Sequence, residues 1–322
     1  MDRIRDVLLY LRDKNDYVSG DYMSGAIGIS RTAVWKYIKH LERLGYRIDK
    51  LKGKGYRLAE APDRLYPWEI ERYSTTAKVL GKKIIYKDSL DSTNAFAFKL
   101  ALSGEPEGTC IIAETQKSGK GRLGRKWFSP AGRNLYMSVL LRPHIPPSAV
   151  YPITFLSSLA VYDTVNALVH VEPTLKWPND VLIAGKKVSG TLLELSTEVD
   201  MVRFVIVGIG LNINMKEDET DEEIRQKATS LLMEARKSFE RTAVCGILLD
   251  NLERYYRIFR EKGPDEICSI WEDRANIKGK YLEITQMGES YRGISEGIDR
   301  DGAMLLAADG TVQKIIAGDV SF

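Results

Sequence analysis

The spacing of apolar residues changes character along the chain. Ile4, Val7, Leu8 and Leu11 recur every three or four positions, which predicts an amphipathic helix at the start. A second short helix is expected around residues 21–27, followed by a turn at Gly28 and Ile29. Ser30 then stands where it can cap a third helix, whose buried stripe is Val34, Tyr37, Ile38, Leu41 and Leu44. Beyond Gly45 the period falls to two. The stretch YRIDKLKGKGYRL alternates and turns at Gly53 and Gly55, predicting a β-hairpin. Helices followed by such a hairpin make a winged helix-turn-helix over residues 1–60. Pro62 and Pro67 break the periodicity of AEAPDRLYPW, so 61–67 reads as a linker.

After the linker, β-like runs (KIIYK, TCIIAE, NLYMSVLLR, VSGTLLELS, FVIVGIGLNI) mix with helical patterns at about 92–103, 148–169 and 239–262. Neighbouring strands often lie too close together for helical crossovers. This favours an α+β domain with a mixed sheet, over 68–272, rather than a doubly wound one. From Lys280 the chain reads as short strands with Gly-containing turns at 287–288, 301–302 and 309–310, the composition of a small β-barrel, and the domain is set at 273–322.

Composition narrows this picture only locally. The 322 residues are 44% hydrophobic and 28% charged, with a net charge of +3. Residues 1–60 hold 13 Lys and Arg against 8 Asp and Glu, or +5, which leaves −2 for the rest. A basic amino-terminal module on a near-neutral remainder points to a local anionic partner. Arg31, Thr32, Trp35, Lys36 and Lys39 fall away from the apolar stripe of the third helix, as in a recognition helix; Lys50, Lys52 and Lys54 make a basic wing. The alternative is a solvated face in a protein-interaction module. Cys110, Cys245 and Cys268, like the three histidines, lack metal-ligand or paired spacing, so neither a metal site nor a disulfide framework is expected. The opening residues lack a signal-peptide core and no apolar run is long enough to span a membrane, so a cytoplasmic protein is expected.

SGKGRLGRKW (118–127) carries the glycine spacing of a dinucleotide fingerprint. That reading needs a helix opening at the last glycine, and RKWFSPAGRN offers none; a P-loop Gly-Lys-Ser/Thr ending is missing too. The glycines free the backbone for close approach, while Lys120 and Arg122 add charge-assisted donors. The loop reads as a flexible anion clamp.

DSTN (91–94), this loop with RKWFSP (125–130), KWPND (176–180), GKKVSGTLLEL (185–195) and GIGLNIN (208–214) occur in that order. Together they closely resemble biotin–protein ligases. With the winged helix ahead, the chain resembles the bifunctional ligase–repressor kind over essentially its whole length.

The resemblance implies a central domain of the biotin/lipoate ligase type and an SH3-like carboxy-terminal barrel. It also implies ATP-dependent formation of biotinyl-5′-adenylate and transfer of biotin to a carrier-protein lysine. Operator DNA and a ligand-induced homodimer are implied partners, Mg²⁺ accompanies ATP, and no membrane is involved. Biotin contacts would come from Ser92, Thr93, Asn94, Gln116, Gly119, Lys120, Gly121, Arg122, Lys187, Gly190, Gly208 and Gly210. Asp91 or Ser92 could equally cap the helix that follows. Arg122 and Lys187 would neutralise the transition state. Arg122, Trp127, Lys176, Asn179 and Asn212 would hold the adenylate, although Trp127 could equally be core. Asp180 would orient the carrier lysine or satisfy buried donors. One residue departs from the family loop Gly-Arg-Gly-Arg-x-Gly: Lys120 replaces its first arginine, keeping charge but losing the planar fork. KEDETDEE (216–223) is either solvated packing or a lid.

Overall fold

The computed structural model describes residues 2–14, 16–76, 79–286, 288–308 and 310–321. The chain divides into two compact units, Met1–Arg64 and Leu65–Phe322. The division falls inside the stretch read as a linker. No helix among the described residues is long and apolar enough to cross a membrane.

The first unit packs α1 (Asp2–Asp13), α2 (Gly20–Ile27) and α3 (Arg31–Arg43) around Val7, Leu8, Leu11, Met23, Val34, Ile38 and Leu41. Ser19 and Ser30 accept from the amides of Tyr22 and Ala33, so both N-termini are capped by the residue type that favours it. Gly28, at φ +70°, closes α2. Tyr37 and Leu44 are half-buried rather than core. The hairpin β1 (Arg47–Leu51) and β2 (Gly55–Glu60) follows as expected. Gly55 is fixed by space as well as by its φ of +113°: a Cβ there would lie 2.1 Å from the Val18 carbonyl oxygen.

The second unit opens with a short helix, α4 (Pro67–Ile70). Its sheet comprises β3 (Lys83–Lys87), β4 (Thr109–Ala113), β5 (Leu135–Leu141), β6 (Thr174–Lys176), β7 (Asp180–Ile183), β8 (Lys186–Glu198) and β9 (Met201–Leu211). In space the order is β3-β4-β5-β9-β8-β7-β6, with only β3 and β4 parallel. The helices are α5 (Thr93–Leu102), α6 (Pro152–Leu168), α7 (Glu222–Lys227), α8 (Leu231–Ala235), α9 (Arg241–Lys262) and α10 (Pro264–Ala275).

The two faces of this sheet differ. Val205, Val207, Ile209 and Leu211 of β9 join Met137, Val139 and Leu141 of β5 in the core shared with α6 and α9. On the other face, Phe204, Ile206, Leu140 and Ile111 pack with Ala97 and Ala101 of α5. That apolar face then stops. Its next residues on β9 are Gly208 and Gly210, which pair with Ser138 and Tyr136 on β5 and with Leu192 and Gly190 on β8. A strip of bare backbone is left beside the start of α5, and the site is built on it.

The carboxy-terminal strands β10 (Tyr281–Gln286), β11 (Glu289–Ile298), β12 (Met304–Ala308), β13 (Thr311–Ile315) and β14 (Asp319–Ser321) form an antiparallel sheet ordered β13-β12-β11-β10-β14. No ladder among the described residues joins β13 to β14 to close the expected barrel. This sheet belongs to the same compact unit as the larger one. Trp177 donates its indole N–H to the Gly302 carbonyl at 3.0 Å, and Trp271 stacks on Phe155. Helix α10 has no counterpart among the expected elements and ends three residues beyond the 272/273 boundary. Its signal was present, with Pro264 in the first turn and Ile267, Cys268, Trp271 and Ala275 buried along one stripe.

Candidate active site and nucleic-acid interface

Ser92 is the N-cap of α5, accepting from the Ala95 amide at 3.4 Å. The capping role therefore holds. The next two side chains point to the glycine strip. Thr93 donates through both its amide (2.9 Å) and its hydroxyl (3.1 Å) to Gln116 Oε1. Asn94 donates to the Leu192 carbonyl at 3.2 Å and accepts from Ser138 at 2.6 Å. Gly208 lies against it: a Cβ would be 2.1 Å from Asn94 Oδ1. Ser138 was missed in the sequence, although a serine inside the apolar run LYMSVLL was its signal.

Gln116 also donates to Ser129, which donates to the Trp127 carbonyl. These bonds hold the glycine-basic loop at its base. Trp127 N donates to Gly119 O at 2.9 Å and Gly121 N to Arg125 O at 2.7 Å, so the loop is a small hairpin. Gly119 is required by closeness, since a Cβ would meet Trp127 O at 2.6 Å. Lys120 is exposed and makes no ion pair among the described residues. Arg122 donates to Asn179 Oδ1 at 3.1 Å and to the Gly318 carbonyl at 3.4 Å. Arg125 pairs with Asp319. These ties to the carboxy-terminal sheet carried no sequence signal.

The indole of Trp127 lies on the glycine strip, where a Cβ on Gly210 would come within 2.3 Å of its ring. Lys187 Nζ stands 5.3 Å from that ring's centroid and 2.6 Å from Asp180 Oδ1. Gly190 lies beneath the lysine, for a Cβ there would be 2.7 Å from Lys187 Cε. Asn179 is buried, its amide donating to the Thr191 carbonyl at 2.7 Å. Asn212 is buried too: its amide donates to Thr229 O, and its oxygen accepts from Asn134 at 3.4 Å. Lys176 is half-buried at the end of β6. Thr93, Asn94, Gln116, Gly119, Trp127, Lys187, Gly190, Gly208 and Gly210 are thus brought together, and Arg122 is joined to Asn179. Residues 216–223 form a 3₁₀ turn, Glu217–Glu219, and the start of α7, with Glu219 tied to Arg133 at 2.5 Å.

A cleft of about 470 Å³ on the opposite sheet face is lined by Val150, Tyr151, Thr154, Leu193, Leu195 and Ile316, and it shares Arg122 and Asn179 with the site. Burial pushes the Tyr151 phenol up, and its oxygen has no hydrogen-bond partner among the described residues.

In the first unit, Arg31, Thr32, Trp35 and Lys36 are exposed on α3, Trp35 by 50%. Arg31 pairs with Asp21 at 3.4 Å. Lys39 is half-buried beside Glu42.

A helix-turn-helix unit, carried in one chain with a mixed-sheet fold that holds a glycine-floored, cation-rimmed site, defines a class of protein that pairs an HTH unit with an enzyme-like anion site. Comparison with known proteins agrees. The model of the Biotin/lipoate A/B protein ligase family matches residues 86–212, an HTH domain matches 3–57, and the Biotin protein ligase C terminal domain matches 283–322. The chain is 37% identical to the bifunctional ligase/repressor BirA of Bacillus subtilis, over 97% of this chain and 96% of that one. It is 30% identical to the Escherichia coli protein of the same name, over 98% and 95%. The biotin protein ligase of Aquifex aeolicus, solved with biotin and ATP, superposes with a TM-score of 0.64 at 30% identity, covering 74% of this chain and 98% of that one. The chain belongs to the bifunctional biotin ligase/repressor family.

Proposed function

We propose that this chain is a cytoplasmic, ATP-dependent biotin–protein ligase that also represses transcription. The biotin carboxylate attacks the α-phosphorus of ATP, giving biotinyl-5′-adenylate and pyrophosphate. A carrier-protein lysine then attacks the acyl carbon and AMP leaves. DNA binding falls to 1–60, the linker to 61–67, ligation to 68–272, and a carboxy-terminal SH3-like domain to 273–322.

The observation that carries the reading is the glycine strip of Gly190, Gly208 and Gly210, with short polar groups at one end and fixed cations at the other. Biotin's uncharged ureido ring needs donors and acceptors of short reach, which Ser92, Thr93, Asn94 and Gln116 supply. Its carboxylate and the phosphates need cations. Lys187 and Arg122 face that end, with Lys120 and Lys176 adding charge, and Gly119 and Gly121 let the loop close. Trp127, Asn179 and Asn212 border the adenylate. Mg²⁺ would enter on the triphosphate, because no group of three His, Cys, Asp or Glu among the described residues is arranged to hold a metal.

Pairing supports a dimer. Beyond Thr191, no strand among the described residues covers β8 on its β7 side, an open edge of the kind a second copy extends. Arg31, Thr32, Trp35 and Lys36 would then meet operator DNA.

The test is transfer of labelled biotin to a carrier domain with ATP and Mg²⁺, run beside lipoate. Transfer of lipoate instead, or binding of biotin without transfer, overturns the ligase reading. Deleting residues 1–60 is expected to abolish operator binding and spare adenylation; DNA binding that survives the deletion refutes the repressor assignment. Gly208→Ala is expected to weaken biotin binding at least about tenfold in calorimetry, because the new methyl displaces Asn94 from Ser138 and the Leu192 carbonyl.

A further inference from the structure

The first unit holds more cations than it leaves available to DNA. Lys39 of α3 lies 3.0 Å from Glu42 Oε2, and Lys50 of β1 lies 2.7 Å from Glu42 Oε1. Both carboxylate oxygens are thus committed at once, to cations from different elements. The Glu42 side chain is only 27% exposed. Burial by itself pushes its carboxyl up, but the bonds from Lys50 and Lys39 outweigh it and hold the group below its ordinary range. Lys36, Lys52 and Lys54 are exposed and make no ion pair among the described residues.

The position of the bridge matters. Glu42 sits in the last turn of α3, and Lys50 pairs with Tyr56 one register step from the 52–54 turn, near the tip of the wing. The bridge therefore ties the wing to the helix that carries Arg31, Thr32 and Trp35.

We propose that Glu42 is a specificity-determining residue of the DNA-binding unit, withholding Lys39 and Lys50 from phosphates and fixing the wing against α3. The inference rests on the repressor reading above. Non-specific affinity follows the number of phosphates neutralised, whereas discrimination follows base contacts made in fixed register. Recruiting Lys39 or Lys50 to a phosphate means breaking its ion pair and leaving Glu42 facing the backbone. Both cations are therefore costly to use on the wrong sequence.

The experiment uses the full chain with biotin and ATP. The DNA is a duplex selected by the wild-type protein from a random pool, beside a scrambled duplex of the same composition. Affinity is measured against salt for wild type, Glu42→Gln and Glu42→Asp. Glu42→Gln is expected to tighten binding to the scrambled duplex about fivefold per freed lysine at roughly 0.15 M salt. It is also expected to steepen the logarithmic salt slope by about 0.9 to 1.8. The ratio of selected to scrambled affinity falls accordingly, and Glu42→Asp recovers most of it. Lys39→Ala and Lys50→Ala remove the added slope in the Glu42→Gln background. An unchanged slope and ratio in Glu42→Gln, or weaker scrambled binding, overturns the proposal. If the wild-type protein shows no salt-dependent DNA binding at all, the repressor reading falls and takes this proposal with it.

Discussion

Lys187→Ala is expected to slow biotinyl-adenylate formation by about 10²- to 10³-fold while weakening biotin binding by less than about tenfold. The attack brings a carboxylate onto a phosphate, and charge is densest in the transition state. A cation already in place there acts without reorganising. In the proposed reaction Lys187 meets that condition. Its backbone is held by β7 through the Leu182 register and by the Thr229 amide on its carbonyl. Its stem lies over Gly190, and its ammonium is aimed by Asp180 and the Trp127 ring. Single-turnover pyrophosphate release gives the rate, and calorimetry gives the affinity. Equal losses in both would make Lys187 a ground-state contact rather than a catalytic residue.

Glu114→Gln is expected to destabilise the second unit by about 3–5 kcal/mol, read from denaturant midpoints. Glu114 and Arg241 form an ion pair at 2.9 Å with side chains 2% and 0% exposed. Glu114 also accepts from the Leu65 amide at 3.0 Å, and Arg241 donates to the Asn134 carbonyl at 3.2 Å. Glutamine can keep the bond to Leu65, but it removes the carboxylate charge that faces the buried guanidinium at 2.9 Å, and the loss of that charge pair dominates. Glu114→Gln combined with Arg241→Met is expected to cost less than Glu114→Gln alone, since the buried guanidinium is removed together with the carboxylate that faced it. A loss below about 1 kcal/mol for the single change would mean that water reaches the guanidinium. The pair also supports the candidate site: Asn134 accepts from the Ile213 amide and donates to Asn212, two residues just past the end of β9.

The first unit was legible almost residue by residue. Its helices and hairpin depend on short-range periodicity and on caps such as Ser30, and both are written locally. The same holds for the long elements of the second unit, α5, α6 and α9. The three- and four-residue strands β6 and β7 are too short to show a period. Ordered motifs supplied the candidate site residues, because the proposed reaction, which joins two anions, needs glycines and cations in one place. What these motifs could not show was the use of each side chain. Asn212 is legible as a polar residue in GIGLNIN, but its commitment to Thr229 and Asn134 depends on elements far away in the chain.

The sequence by itself determined the order of the modules, the helix-turn-helix with its exposed third-helix face, and the glycine and lysine positions of the candidate site. These follow from local periodicity, backbone freedom and charge. Tertiary structure decided the rest. It brought Asn94 onto Gly208 and Ser138, closed Arg122 onto Gly318, and stranded Glu114 with Arg241 away from water. Strand register sets such contacts, and register depends on the whole sheet burying its apolar face at once.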